Sequence, residues 1–239
     1  SYTNNGGTAQ SSPTFSGLSA GAQVIVVTDA AGCTETVTIT LADPAAVAAT
    51  TTVVSNVSCN GLSDGSASAS ATGGVGAYTY DWDNGETGAT ATNLAVGTHT
   101  VTATDANGCT ATQTVAITEP VALSVATAVD QDVSCNGGID GGATATASDG
   151  TSGYTYVWSN GETGASATAL SVGQHSVTAT DANGCTAVTT VTITEPAALT
   201  LSGVVTDVTC NGAADGAINN TVGGGTTAYT YAWSGTGVV

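Results

Sequence analysis

A 76-residue period runs through the sequence on four separate markers. The segment T-D-A-x-G-C brings Cys33, Cys109 and Cys185 at intervals of 76. V-[ST]-C-N-G places Cys59, Cys135 and Cys210 at steps of 76 and 75, and Trp82, Trp158 and Trp233 follow the same two steps. Pro44, Pro120 and Pro196 are again 76 apart. A unit recurring at such a period is one supersecondary module placed in series. Ile117-Thr118-Glu119-Pro120 and Ile193-Thr194-Glu195-Pro196 end strand-like runs, and proline cannot continue a central ladder. The unit boundaries therefore fall just before each proline. Residues 1–43 are the C-terminal part of a repeat, 44–119 and 120–195 are complete repeats, and 196–239 is the N-terminal part of another. Residues 4–10 diverge, with no tryptophan at the equivalent place. The chain is expected to be an excerpt of a longer array.

Within one unit the side chains alternate with the period of half-buried strands. Ser66–Thr72 alternates Ser with Ala, Ala89–Thr92 alternates and runs on to Leu94, and His99–Thr104 and Thr110–Thr118 do the same. Tyr78, Tyr80 and Trp82 lie two apart, so they share one face of a strand. Between these runs stand Asn60-Gly61, Gly73-Gly74, Asn84-Gly85, Val96-Gly97 and Asn107-Gly108. Such pairs turn the chain because both residues tolerate positive φ. The expected fold is all-β: tandem immunoglobulin-like sandwiches, each of about seven short strands, strung as an extended fibre. Trp82, Trp158 and Trp233 are expected in the cores, being the main apolar mass in each unit. The competing role for Tyr78, Tyr80 and Trp82 is a platform for stacking on sugars.

Charge narrows the function. The chain has no Lys and no Arg against 18 Asp plus Glu and 2 His. Nucleic-acid binding draws its affinity from Lys and Arg on phosphates, so nucleic acid is excluded as a partner. Attraction to an anionic membrane surface fails for the same reason, and no run approaches the ~18 apolar residues of a membrane helix. Schiff-base chemistry, Lys–Asn isopeptide cross-links and bidentate clamping of carboxylates or phosphates are excluded with them. Disorder does not follow from the acidity, because 41% of residues are hydrophobic and the mean hydropathy is +0.20. That apolar content is mostly Ala and Val, with one Phe and no Met, which predicts thin, closely spaced sheets. The position of His99 and His175 holds Gln23 in the first piece, so it is structural rather than catalytic. No nucleophile–base pair or carboxylate dyad stands out, and an enzyme is not expected.

The combination V-S-C-N-G-x-x-D-G, Y-T-Y-x-W-x-N-G, L-x-V-G-x-H and T-D-A-N-G-C-T, closing on I-T-E-P, resembles the SprB-type repeat. Those repeats occur in very large gliding-motility adhesins of Bacteroidota. Here the motifs are Val57–Gly65, Tyr78–Gly85, Leu94–His99, Thr104–Thr110 and Ile117–Pro120, and they return 76 residues on. The resemblance implies type IX secretion, display on the outer surface of the cell, and motion driven by a motor outside this chain. It does not imply that the repeats themselves touch the substratum, and the near-identical composition of every repeat makes a structural stalk the expected role. The alternative is a multivalent fibre in which each repeat grips surface polysaccharide weakly and avidity holds it. Neighbouring repeats of the same chain are the expected partners.

Six cysteines on this period, without Cys–His metal spacing, read as disulfides of an oxidising compartment. Spacing alone leaves the pairing open. The default is within a unit, Cys59 with Cys109 and Cys135 with Cys185, which leaves Cys33 and Cys210 to partners outside the excerpt. Against it, the two turns of a unit belong at opposite ends of a sandwich. A head-to-tail array would instead join Cys59 to Cys185 of the following unit. Pairing Cys33 with Cys59 and Cys109 with Cys135 is the third arrangement. The acids Asp64, Asp140, Asp105, Asp181, Glu119 and Glu195 gather at turns and junctions. Calcium is the metal such oxygens suit, but no D-x-[DN]-x-[DN]-G loop is present and turn chemistry accounts for Asp and Asn there. No cofactor is expected.

Overall fold

The computed structural model describes residues 1–234. Its first piece carries β1 (Tyr2–Asn4), β2 (Gly21–Thr28) and β3 (Thr34–Leu41), which form one antiparallel sheet. The first complete repeat carries β4 (Ala48–Ser55), β5 (Gly65–Thr72), β6 (Thr79–Trp82), β7 (Thr90–Leu94), β8 (Gly97–Thr104) and β9 (Thr110–Ile117). The second carries β10 (Ser124–Gln131), β11 (Gly141–Ser148), β12 (Thr155–Trp158), β13 (Ser166–Leu170), β14 (Gly173–Thr180) and β15 (Thr186–Ile193). β16 (Thr200–Thr206) and β17 (Ala217–Gly223) follow. No helix occurs among the described residues.

Each complete repeat is two three-stranded sheets, β4-β5-β7 with β6-β8-β9, and β10-β11-β13 with β12-β14-β15. That is the strand order A-B-E facing C-F-G of an immunoglobulin-like sandwich. No sheet runs through the Glu-Pro steps, since β9 ends at Ile117 and β10 begins at Ser124. Six strands form rather than the expected seven. After β12 the chain turns at Asn160-Gly161 and folds back on that strand, with Trp158 N donating to Glu162 O at 2.9 Å and Gly164 N to Tyr156 O at 3.2 Å. Those residues are spent on the return, and β13 follows directly.

The chain forms two compact units, one of Ser1–Val54, Ser66–Leu94 and Thr98–Ala116, the other of Ser55–Gly65, Ala95–Gly97 and Ile117–Val239. In the second, Val133, Ala143, Ala145, Trp158, Ala167, Leu170, Val177, Val191 and Ile193 form the core, with Val125 and Tyr156 against it. Alternation along β11 and β14 puts every second side chain inside. Small alanines let the sheets approach over the one large ring. The residues 76 earlier, from Val57 to Ile117, are buried in the first repeat as well.

The 75-residue step also has a cause. β10 pairs with β11 through an irregularity between Val129 and Gln131, whereas β16 pairs with β17 without a break from Thr200 to Thr206. The third repeat lacks the bulge residue that Asp130 supplies in the second.

Candidate functional site

The chemistry-bearing residues gather on two loops. The first joins β10 to β11 and carries V-S-C-N-G-G-I-D-G. Ser134 N donates to Asp140 Oδ1 at 3.1 Å, and Ser58 N to Asp64 Oδ1 at 2.9 Å. The Ser58 hydroxyl also donates to Asp64. The serine side chain, then its backbone N–H, holds each of these carboxyls below the usual aspartate range. Gly137, at φ 78°, donates its N–H to Glu195 Oε2 at 2.7 Å, and Asn136 Nδ2 reaches Glu195 Oε1 at 2.9 Å. The first repeat does the same from Gly61 N to Glu119 Oε2 at 2.7 Å. The glutamate of I-T-E-P therefore shapes the cysteine loop of its own repeat, a role the sequence reading did not find. Gly141 is required for closeness, since a Cβ there would stand 2.7 Å from Ile193 Cγ2 and 2.8 Å from Leu170 O.

The second loop, T-D-A-N-G-C, joins β14 to β15. Asp181 is buried and accepts from Thr151 N at 2.8 Å, Asn183 N at 2.9 Å and Cys185 N at 2.9 Å. Asp105 takes the same three bonds from Val75, Asn107 and Cys109 at 2.9, 2.9 and 2.8 Å. The N–H of Thr151 leads the groups that depress the Asp181 carboxyl, and that of Val75 leads for Asp105. A depressed carboxyl stabilises fully above the ordinary aspartate range, about 4, and loses that contribution as pH falls through the lowered folded value. Thermal midpoints are expected to hold from neutrality down to about pH 5 and then to fall. Asp181→Asn is expected to lower the neutral midpoint and flatten the acid limb, read by calorimetry across pH.

One disulfide joins the two kinds of loop, Cys59 to Cys185, with Cα atoms 5.6 Å apart. Beside it Asn183 Nδ2 donates to Ser58 O at 3.0 Å. Loop Ser55–Gly65 and residue 185 lie in the same compact unit. The default within-unit pairing is therefore corrected: Cys109 and Cys135 are free and exposed, as are Cys33 and Cys210. The reason is visible inside the second repeat. Its Cys135 loop sits at the β15 end, against Glu195 and with Val133 N bonded to Thr194 O. Its Cys185 turn sits against Thr151 at the opposite end of the sandwich. Eight-residue strands separate the two by roughly 26 Å at ~3.3 Å per residue, several times the span of a disulfide.

The histidine position is structural. His175 Nε2 meets Ser171 O at 2.8 Å, and Gln23 Nε2 makes the equivalent bond to Ser19 O at 2.8 Å. A side-chain N–H reaching back four residues is all the site asks. Beside it stands Asp83 in the first repeat and Ser159 in the second, so no nucleophile–base pair recurs.

Trp82 and Trp158 are buried, each with Nε1 donating at 3.0 Å, to Gly88 O and Gly164 O. Trp233 departs from the core expectation, being 55% exposed. The described residues of its repeat supply β16 and β17 alone, so Leu201, Ile218 and Trp233 line an open groove of about 990 Å³ where the complete repeat has a core. Tyr78, Tyr80, Tyr154 and Tyr156 are half-buried, and three of them are bonded: Tyr154 OH donates to Asp149 O at 2.6 Å, Tyr78 OH to Gly73 O, and Tyr156 OH accepts from Ala147 N at 3.0 Å. No group of three or more His, Cys, Asp or Glu stands ready for a metal ion among the described residues.

Comparison with known proteins places the sequence. The SprB repeat matches at residues 51–87, 127–163 and 202–238, the front half of each unit through the tryptophan. No curated protein matches the chain. Among solved structures, an amphioxus IgVJ-C2 molecule is similar at 16% identity and a TM-score of 0.25, covering 64% of this chain and 98% of its own. A tetra-tandem repeat from the extending region of a large adhesion protein is similar at 19% identity and a TM-score of 0.26, covering 87% of this chain and 71% of its own. Those scores do not place the fold, which rests on the strand order above. The three matches fall on the period read from cysteines and tryptophans, so the chain carries three segments similar to the SprB repeat.

Proposed function

We propose that this chain is a load-bearing stretch of a cell-surface adhesin, displayed outside the cell and supporting attachment and gliding rather than making the adhesive contact or catalysing a reaction. The observation that carries the reading is the Cys59–Cys185 bond, which ties one repeat to the next. A covalent tie between consecutive modules serves tension, whereas a binding module needs a displayed face. The aromatic groups that would stack on sugars support the same side: Trp82 and Trp158 are buried, and Tyr78 and Tyr154 spend their hydroxyls on backbone carbonyls. A disulfide also suits an oxidising exterior. The absence of Lys and Arg leaves a uniformly anionic surface that keeps neighbouring copies apart.

The test is retention of the soluble chain on immobilised polysaccharides, acidic and neutral. No retention above that of an unrelated sandwich protein is expected. Saturable retention that is lost when Tyr80 and Tyr156 are replaced by Ala would overturn the stalk in favour of a polysaccharide-binding fibre.

A further inference from the structure

We propose that the disulfide follows one rule along the array: each V-[ST]-C-N-G thiol is the attachment site for the T-D-A-x-G-C thiol of the next repeat, 126 residues later. The rule deepens the stalk reading and rests on it. A single pair in this sequence satisfies the spacing, Cys59 with Cys185, and that pair is bonded. Cys33, Cys109, Cys135 and Cys210 have no partner at that spacing within the sequence, and all four are free and exposed. One rule thus accounts for the bond and for each unbonded thiol.

A second, independent observation is that both halves of the site are built before any bond forms. The loop of unbonded Cys135 has the same Asp140 and Glu195 clamps that Asp64 and Glu119 place on the loop of bonded Cys59. Its Gly138 N donates to Cys135 O at 2.9 Å, where Leu62 N donates to Cys59 O at 3.1 Å and Ala213 N to Cys210 O at 3.0 Å. The turn of unbonded Cys109 is held by Asp105 as that of bonded Cys185 is held by Asp181. The bond does not shape these loops; they present the thiol. The Asn183–Ser58 contact beside the disulfide gives the partner its chemistry: a carboxamide that donates to the carbonyl before the loop cysteine. Asn107 supplies that group in the first repeat, while the first piece has Ala31 there.

Forming each bond joins two sulfurs and releases two protons and two electrons. The oxidant is the disulfide of a thiol oxidoreductase, which leaves as a dithiol.

The rule is tested on the full chain, oxidised by a thiol oxidoreductase, alkylated without reduction and cut at acidic residues, because no tryptic site exists. Four alkylated cysteines and one Cys59–Cys185 peptide pair are expected. Cys185→Ser is expected to expose Cys59 as the single new thiol. Insertion of a second copy of residues 120–195 after residue 195 is expected to add one bond, from Cys135 to the inserted T-D-A-N-G-C cysteine. Cys59–Cys109 or Cys135–Cys185 pairs in the parent chain, or Cys135 as the thiol released by Cys185→Ser, would overturn the rule. A parent chain that keeps the Cys59–Cys185 pair while the insertion adds no bond would overturn the rule alone, and saturable polysaccharide retention would overturn the stalk alone, so the two failures are told apart.

Discussion

Pulled from its two ends, the oxidised chain will extend about 440 Å less than the reduced chain once both are fully unfolded. The disulfide bridges a separation of 126 residues, and each residue released adds at most ~3.5 Å. Tension entering from the N-terminus passes along β4 to Cys59, crosses to Cys185 and leaves through β15. Strands β5 to β14 lie inside the covalent loop and cannot be stretched out while the bond holds. Cys59→Ser is expected to reproduce the reduced length without reductant. The measurement is single-molecule extension with and without a thiol reductant. Equal lengths in both states would mean that the bond does not bear load, and the stalk reading would lose its support.

How much of this was legible in the sequence divides by physical cause. Alternation found β5, β7, β8 and β9 nearly to the residue, because a half-buried strand writes its two faces into successive side chains. β4 and β10 did not stand out. Their stretches, A-A-T-T-T-V-V-S and S-V-A-T-A-V-D-Q, end on largely exposed residues and blur the pattern. The missing seventh strand was hidden because Asn160-Gly161 marks a turn without saying which strand the return lies against. Disulfide spacing carried the correct pairing among its alternatives, but the choice required knowing which end of the sandwich each loop occupies. Glu195 was visible only as a junction acid. Its use on Gly137 N is a contact between residues 58 apart, which no local pattern encodes. Trp233 obeyed the period yet lies exposed, since among the described residues of its repeat β16 and β17 form a single sheet with no second sheet to cover the ring.

The same dependence separates two substitutions that look alike in sequence. Trp158→Ala removes the largest fully buried side chain from a core in which Ala143, Ala145 and Ala167 offer little volume to refill the cavity. It also leaves the Gly164 carbonyl without its indole donor. Aromatic-to-alanine changes in cores cost about 3–5 kcal/mol. Against the roughly 5–15 kcal/mol that holds a small domain, that is a large share. For a repeat of this size, 1 kcal/mol moves the midpoint by about 4–8 °C, so a fall on the order of 15–30 °C is expected for the second repeat by calorimetry. Trp233→Ala, on an exposed ring, is expected to move the profile little, within about 0.5 kcal/mol. Trp158→Phe should fall between, keeping most of the volume and losing the Nε1 bond. Equal and small shifts for Trp158→Ala and Trp233→Ala would mean that the core is not organised around the indole, and that the alanine-lined sheets hold together without it.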